Sequence, residues 1–334
     1  MTPPLEVTES TAAAPPEVTL AGMSKKAIQG RSLSQIAWLR LKRDKVAIAG
    51  AFVIIALILA AIAALVLDRV FNVIGPNDFH QDLIDTEGGT LAPKGTFGGM
   101  SLEHPLGIEP VNGRDLLARI FAGSWISLLI AFLATVLSVL IGTVMGVMAG
   151  FFGGWIDTII SRSMDVFLAF PLLVFAMALV GVMPDTVFGL GSETVRIGML
   201  TFIIGFFNWP YIGRIVRGQT LSLREREFVD AARSLGARGP YILFRELLPN
   251  LVAPILVYAT LLIPTNILFE SALSFLGVGI NAPTATWGGM LSEASRFYTM
   301  PHFMLWPGLA IFVTVLAFNL FGDGLRDALD PRAR

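Results

Sequence analysis

The chain has 334 residues, of which 54% are hydrophobic and only 15% are charged, and its mean hydropathy is +0.70. This composition excludes a single water-soluble domain and indicates a polytopic membrane protein. The net charge of −1 says little by itself, and we expect no nucleic-acid partner. The absence of cysteine excludes disulfides, thiol catalysis and cysteine-based metal sites.

The N-terminal residues differ in composition from the rest of the chain. Residues 1–24 contain no Lys or Arg and are dominated by Pro, Thr, Ala, Val and Glu, so we predict a disordered cytoplasmic tail over residues 1–30. Residues 33–45 place Leu33, Ile36 and Leu41 near one face of a basic segment. This pattern fits either a helix lying on the inner membrane interface or a positive flank that orients the next span.

Six apolar segments are long enough to cross a bilayer core ~30 Å thick, which takes about 20 helical residues. They cover residues 46–67, 125–149, 158–182, 195–215, 251–275 and 303–321. Because the runs are continuous and not alternating, we predict an all-α membrane protein with six transmembrane helices. Residues 68–119, rich in Pro and Gly, predict an irregular but compact outer loop.

The distribution of positive charge predicts the orientation of these spans. With a cytoplasmic N-terminus, 18 of the 24 Lys and Arg residues fall in inner segments. Cytoplasmic loops carry an excess of these residues. We therefore expect both termini and the segment 227–250 to face the cytoplasm, and the acidic loop after the first span to face outward.

Four polar residues interrupt the predicted spans, where burial in lipid is expensive. They are Asp165, Asn208, Glu270 and Asn319. Asp165, Asn208 and Glu270 are candidates for a pathway or gate. The alternative for each is a satisfied position in the bundle or at a mouth, and for Asp165 a pair with Arg162 one turn away.

Small residues and prolines in the spans have structural readings as well as functional ones. Gly142, Gly146 and Gly150 form a stripe at four-residue spacing, which predicts close packing of another helix. Prolines lie within the last two spans and predict kinks, which are ordinary in membrane bundles or serve a gate. They are Pro254, Pro264 and Pro307.

The segment 227–250 between the fourth and fifth spans is charged and has the signals of a structured docking element. Ser222 and Glu225 have capping-box spacing, which predicts a helix starting there and running to Leu235. Gly236 supplies a residue able to adopt left-handed geometry as its stop, and Pro240 suits the first turn of a second helix.

The chain lacks the residues of an enzyme site. No GxxxxGK[ST] phosphate loop can be written, and every lysine lies at or before Lys94. The three histidines, His80, His104 and His302, are widely separated in outer segments, which makes a catalytic or metal cluster improbable. We expect no catalytic residue, no metal and no cofactor bound by this chain; if ATP drives it, the ATPase is another polypeptide.

The docking segment resembles the EAA loop of ABC importer permeases. That pattern has an acidic residue and two alanines, then a glycine separated from the second alanine by three residues, and a downstream Leu-Pro. The matching positions, with Glu227 at the start of the segment, are Asp230, Ala231, Ala232, Gly236, Leu248 and Pro249. Asp230 stands where the family more commonly has Glu.

The resemblance extends over residues 33–334 to the C-type permease subunits of dipeptide and oligopeptide importers. Five stretches carry it in the same order, at residues 104–120, 150–171, 216–232, 270–283 and 318–332. Residues 1–30 have no recognised counterpart, and the outer loop over 78–99 is longer than usual.

The resemblance implies a type I ABC importer transmembrane fold in a bacterial inner membrane. It implies a permease core over 119–323 with a coupling loop at about 214–250, preceded by residues 31–118 and followed by a cytoplasmic tail at 324–334. Its implied partners are a second permease, two ATPase subunits that bind ATP and Mg, an extracytoplasmic solute-binding protein and membrane lipids. The implied cargo is a di- or oligopeptide, with nickel, glutathione or another small solute as the alternative. An ion-coupled secondary carrier is a distant alternative.

Overall fold

The computed structural model describes residues 33–71, 75–86, 91–182 and 191–329, together with the single residues 89, 186 and 189. The tail predicted over 1–30 lies outside the described residues, as do residues 330–334. The described chain is mostly helical, which agrees with the predicted fold class.

The helices and the strand pair of the described residues have the following bounds. The helices are α1 (Leu33–Leu41), α2 (Lys45–Val66), α3 (Leu116–Phe152), α4 (Gly154–Ala169), α5 (Leu172–Val182), α6 (Ser192–Arg224), α7 (Glu227–Ser234), α8 (Gly239–Tyr241), α9 (Leu248–Phe275), α10 (Trp287–Ala294) and α11 (Pro301–Leu329). A π-helical turn, Ile242–Leu247, joins α8 to α9 without a break. β1 (Ile84–Asp85) and β2 (Ala92–Pro93) pair antiparallel in the loop before α3.

Five helices of the described chain are long and apolar enough to cross a membrane, and α4 with α5 makes a sixth span if the pair is counted as one. The continuous third span predicted over 158–182 is therefore wrong, since α4 and α5 are bent by 80° at their junction. Pro171 lies at this junction, and a residue before proline is pushed out of the helical region. Phe170 is accordingly extended, with ψ 130°.

The packing of α3 along α6 forms the centre of the bundle. A Cβ added at Gly142 would lie 2.7 Å from the carbonyl oxygen of Trp209, and one at Gly146 would lie 2.6 Å from that of Gly213. The two backbones therefore approach more closely than any larger side chain permits. The predicted role of the glycine stripe in helix packing is confirmed.

Side chains from several helices complete this centre. Fully buried residues of α3 and α6 pack with Leu273 of α9 and Ala176 of α5 in one apolar cluster. On the outside, α2 packs on α11 and α3 but exposes many large apolar side chains, such as Phe52, which is 70% exposed. That surface is suited to contact with lipid.

The two ends of the bundle differ, and we name them by what they carry. The loop end holds the segment 75–115, where the Asp115 carboxylate accepts from the Ala118 backbone N–H (2.7 Å) and caps the start of α3. The α7 end holds α7 and α8. The helix α11 runs to Leu329, past the boundary at residue 323 that the sequence suggested for the helical core. The prolines Pro254, Pro264 and Pro307 lie inside continuous helices.

Candidate functional site: the α7 segment and the polar positions of the bundle

The helix α7 starts later than the sequence predicts. Ser222 lies inside α6, which continues to Arg224, and α7 begins at Glu227. The expected capping box is wrong because packing against α3 carries α6 past Ser222. Arg224 donates to the carbonyl oxygen of Gly150 over 3.0 Å and so holds the last turn of α6 on the end of α3.

The end of α7 follows the prediction. Gly236 has φ +82°, its N–H donates to Arg233, and the N–H of Ala237 donates to Ala232. These two bonds make a Schellman motif, which needs a residue with left-handed geometry at Gly236. Pro240 lies in the first turn of α8, as predicted.

One face of the α7 segment is anchored in the bundle and the other is open. Val229, Ile242 and Leu247 are buried in a small apolar cluster with Phe151 of α3. On the open side, Leu235 is 88% exposed. Exposed apolar side chains gathered on a structured element are typical of a protein–protein interface.

The open side contains a concavity of about 650 Å³, which we call the α7 groove. Its lining residues are Phe228, Ala231, Ala232, Leu235, Gly236, Ala237, Arg238, Tyr241 and Glu246. The paired alanines keep this side of α7 slim, while Phe228 and Tyr241 supply aromatic walls. Sequence reasoning missed both aromatics, although their position beside the paired alanines and Gly236 was a signal that could have found them.

The structure gathers only part of the predicted coupling set in the groove. Ala231, Ala232 and Gly236 line it, whereas Glu227 and Asp230 are exposed on α7 outside the lining. Asp230 pairs with Arg233 over 3.2 Å. The remaining predicted residues lie at the start of α9, beyond the π-helical turn, and are Leu248 and Pro249.

Of the three pathway candidates, Asp165 is the most accessible. Its carboxylate lies 3.5 Å from Arg162, the predicted partner, but is closer to Arg214 of α6 at 2.6 Å. The side chains of Asp165 and Arg214 are 50% and 53% exposed. Sequence reasoning missed Arg214 because 49 residues separate the two positions.

Asn208 and Glu270 are held inside the bundle. Asn208 of α6 donates to Asn266 of α9 (2.8 Å), and Asn266 donates to Thr135 of α3 (2.9 Å), so one chain of hydrogen bonds joins three helices. Glu270 is fully buried and accepts from Ser274 over 2.8 Å. In the described conformation both side chains have satisfied structural positions, the alternative reading of the sequence.

Aromatic rings surround the break between α4 and α5. Phe167 lies edge-on to Phe206, Phe207 and Trp209 of α6, with ring centroids 5.2, 5.5 and 5.7 Å away. Phe175 of α5 lies 4.6 Å from Phe207. The bend therefore rests on a cluster of rings that the apolar pattern alone did not reveal.

Charged residues are buried together at the loop end. The carboxylate of Glu109 is paired with Arg114 and lies 3.3 Å from the Nε of Arg119. Both arginines also approach Glu293 of α10, at 3.3 and 3.5 Å. Burial raises the pKa of the Glu109 carboxyl, and Arg119 is the strongest influence that opposes this rise. The cluster ties the loop before α3 to α3 and α10.

The histidines are closer together than their sequence positions suggest. The rings of His80 and His104 lie 4.7 Å apart, and His104 pairs with Asp115 over 2.7 Å. His302 instead contacts the carbonyl oxygen of Ile108 at 3.1 Å. Among the described residues, no three His, Asp or Glu side chains are placed to hold a metal ion.

Family models match two parts of the chain. Residues 142–334 match the model described as "Binding-protein-dependent transport system inner membrane component". The chain belongs to this family. Residues 32–84 match the "N-terminal TM domain of oligopeptide transport permease C".

Named relatives match along most of the chain. It is 39% identical over 299 residues to the dipeptide transport system permease protein DppC of Alkalihalophilus pseudofirmus. It is 40% identical over 298 residues to the glutathione transport system permease protein GsiD of Escherichia coli, and 42% over 298 to that of Shigella flexneri. Each alignment covers 89% of this chain and 90% of the relative.

The fold also resembles a solved one. An inward-facing structure of the MetNI methionine ABC transporter matches with a TM-score of 0.51 at 20% identity, covering 63% of this chain and 96% of that one. At this identity the match shows the fold alone, which is the type I importer fold implied by the sequence resemblance.

Proposed function

We propose that this chain, a permease subunit of an ABC importer, forms with a second permease the translocation pathway for di- and oligopeptides. The names of its relatives support this cargo class, since one is a dipeptide permease and others are glutathione permeases. Glutathione import by the same machinery is the alternative. The chain itself is a non-catalytic subunit, with ATP and Mg bound on two partner ATPase subunits.

The observation that carries the coupling role is the α7 groove. It is an apolar concavity on a segment fixed at both ends, by Arg224 on the Gly150 carbonyl before α7 and by the buried Ile242 and Leu247 after it. A segment that only connected two spans would gain nothing from exposing Leu235 and Tyr241 on an ordered surface. In the proposed complex an ATPase subunit covers this groove.

The proposed orientation places the α7 end in the bacterial cytoplasm, following the excess of Lys and Arg in the segments at that end. The loop end then faces outward, where a solute-binding protein delivers the cargo. The buried cluster of Glu109, Arg114 and Arg119 holds the loop as a defined surface for that delivery.

Movement of the ATPases is transmitted to the pathway by the long helices that flank the groove. The groove lies between α6, which ends two residues before α7, and the continuous helix Gly239–Phe275. A shift of α7 therefore acts on two long helices at once. The ion pair of Asp157 and Arg217 fastens α4 to α6, so α4 moves with α6. The break at Phe170 separates α4 from α5. Movement of the helices on either side of the break switches the pathway between inward-facing and outward-facing states.

Cross-linking from the groove tests the coupling role. Because the chain has no cysteine, Leu235→Cys provides one reactive site in the groove, and Phe52→Cys on the lipid-facing side of α2 is the matched control. We expect Leu235→Cys to cross-link an ATPase subunit in native membranes and the control not to do so. Absence of an ATPase from the Leu235 adduct refutes the proposal.

Uptake by the reconstituted complex tests the cargo. Proteoliposomes with both permeases, the ATPases and the binding protein should accumulate a dipeptide only when ATP is present. Uptake of glutathione but no dipeptide would establish the alternative. Uptake that needs a proton gradient and proceeds without the ATPases would instead establish a secondary carrier.

A further inference from the structure

A second concavity lies between α4 and α6, nearer the middle of the bundle than the α7 groove. It measures about 370 Å³ and is lined by Ser161, Met164, Asp165, Arg214 and Arg217. It presents a carboxylate and a guanidinium side by side, since Asp165 and Arg214 are 2.6 Å apart. We call it the charged cleft.

The position of the charged cleft indicates that it faces water. Asp165 lies within α4, which together with α5 makes the bent span Gly154–Ala169 and Leu172–Val182. Charged residues of membrane-spanning helices face the interior of the bundle or a water-filled cavity. Asp165 and Arg214 are nevertheless about half exposed in the single chain. The surface they share is therefore suited to the aqueous pathway and unsuited to lipid.

Two ion pairs join α4 to α6, and they differ in a way that separates their roles. The Asp157–Arg217 pair is 22% and 32% exposed, has two hydrogen bonds and is supported by Ser161, which donates to Asp157 over 3.1 Å. The Asp165–Arg214 pair has one hydrogen bond and is far more exposed. The first pair therefore fastens the helices. The second contributes little to stability and can exchange its partners with little loss.

We propose that Asp165 and Arg214 form a transient contact site for the free termini of passing peptides, the carboxylate receiving an α-ammonium and the guanidinium an α-carboxylate, one terminus at a time. This rests on the proposed function and names the feature of the cargo that the pathway contacts. Peptides of different sequence share only their termini and backbone. A permease that conducts them all must contact these groups and ignore side chains. Arg pairs with carboxylates in a planar two-point geometry, which suits the C-terminus.

The exposure of the pair matches the needs of transport. In a buried, fully desolvated ion pair the two side chains would stay bound to each other, or would hold a peptide terminus too tightly to release it. A half-exposed pair exchanges one ionic partner for another with little change in free energy, so the cargo is guided without being retained. Ser161 and Met164 supply the remaining wall of the cleft, which a dipeptide backbone can contact.

A single cysteine placed in the cleft tests the proposal directly. Ser161→Cys in the assembled complex, in membranes open to both sides, is labelled by a water-soluble maleimide in the presence of dialanine or of N-acetyl-dialanine amide, which lacks charged termini. Dialanine at about four times its dissociation constant is expected to slow labelling about fivefold by mass action, and the blocked peptide is expected to have no effect. Equal protection by both peptides, protection by neither, or no labelling of Ser161→Cys overturns the proposal.

Two further variants separate a contact role from a structural one. Asp165→Asn with Arg214→Gln keeps a hydrogen bond between α4 and α6 but removes both charges, and it should abolish protection by dialanine. Arg296→Gln removes an exposed charge at the loop end, away from the cleft, and should leave protection intact. Retained protection in the double variant would refute the assignment.

Measuring ATP-driven uptake by the same complexes distinguishes failure of this inference from failure of the proposed function. If the unmodified complex takes up dipeptide and the double variant retains its ATPase activity but loses most uptake per ATP, the cleft acts on cargo. If uptake and ATPase activity fall together, the pair acts in coupling and the inference fails while the proposed function stands. If the unmodified complex takes up no peptide, the proposed function itself fails.

Discussion

The backbone N–H of Ala237 donates to the carbonyl oxygen of Ala232 over 3.0 Å, and this bond sets the direction in which the chain leaves α7. It closes only if Gly236 keeps its φ of +82°. The open face of the α7 groove therefore depends on the backbone of one residue. A Cβ added at Gly236 meets no atom within 4 Å, so the constraint is conformational and not one of space.

Substitution of Gly236 tests this dependence. Gly236→Val should lower the stability of the turn by about 1–2 kcal/mol, because valine disfavours left-handed backbone geometry. The variant should therefore misdirect α8 and reduce recovery of the ATPase subunits. Gly236→Asn is the control, because Asn tolerates this geometry. Copurification and cargo uptake per ATP measure the effect. Full assembly and full transport by Gly236→Val would show that the turn is not needed for coupling.

Two glycines on facing helices give a matched pair for the packing of α3 on α6. Gly146→Ala places a Cβ 2.6 Å from the Gly213 carbonyl oxygen, and we expect destabilisation of about 1–3 kcal/mol from overpacking. Gly218→Ala, on α6, meets nothing within 4 Å and should be neutral or slightly stabilising. Thermal unfolding in detergent compares them. Equal unfolding temperatures would contradict the close approach.

Arg119 anchors the buried charge cluster at the loop end of the bundle. Arg119→Gln leaves Glu109 and Glu293 short of a partner, and breaking a buried pair in this way destabilises by about 3–5 kcal/mol. Arg296→Gln, which removes an exposed charge from the same end of the bundle, should have little effect. Unfolding temperature and protease sensitivity of the loop 75–115 are the measurements. Similar values for both variants would refute the anchoring role.

The penalty of Arg119→Gln should also depend on pH. Arg119 is the strongest influence that lowers the pKa of Glu109 against the rise caused by burial, so its loss raises that pKa further. A carboxyl with a raised folded pKa loses its contribution to stability as pH rises through that pKa. The gap in unfolding temperature between wild type and variant should therefore be smaller at acidic pH than above neutrality. A gap that widens on acidification would contradict this sign.

Pro171 is expected to maintain the break between α4 and α5. Pro171→Ala restores a backbone N–H and frees Phe170 to become helical, so the 80° bend should relax towards a straighter span. Spin labels at exposed positions Ile159 and Met177 would then move apart. Pro307→Ala, within continuous α11, should leave that distance unchanged. An unaltered distance in Pro171→Ala would show that the ring cluster alone holds the bend.

The sequence predicted the spans and the end of α7 well because those features have local causes. Apolar length identifies a span, and Gly236 signals its own turn. Prediction from the sequence failed where residues distant along the chain determine the local structure. Packing on α3 overrode the capping box at Ser222, and Arg214 reaches Asp165 from 49 residues away. The break at Pro171 was missed because an apolar run has the same composition whether it forms a straight helix or a bent one.

The unbroken helix from Gly239 to Phe275 has a mechanical consequence. Its 37 residues measure about 55 Å at 1.5 Å per residue, nearly twice the thickness of the bilayer core. If a helix of that length moves as one body, a tilt of about 5° at its base sweeps its far tip through about 5 Å. Small movements at the α7 end are thereby magnified at the loop end, with no relay of separate parts between them.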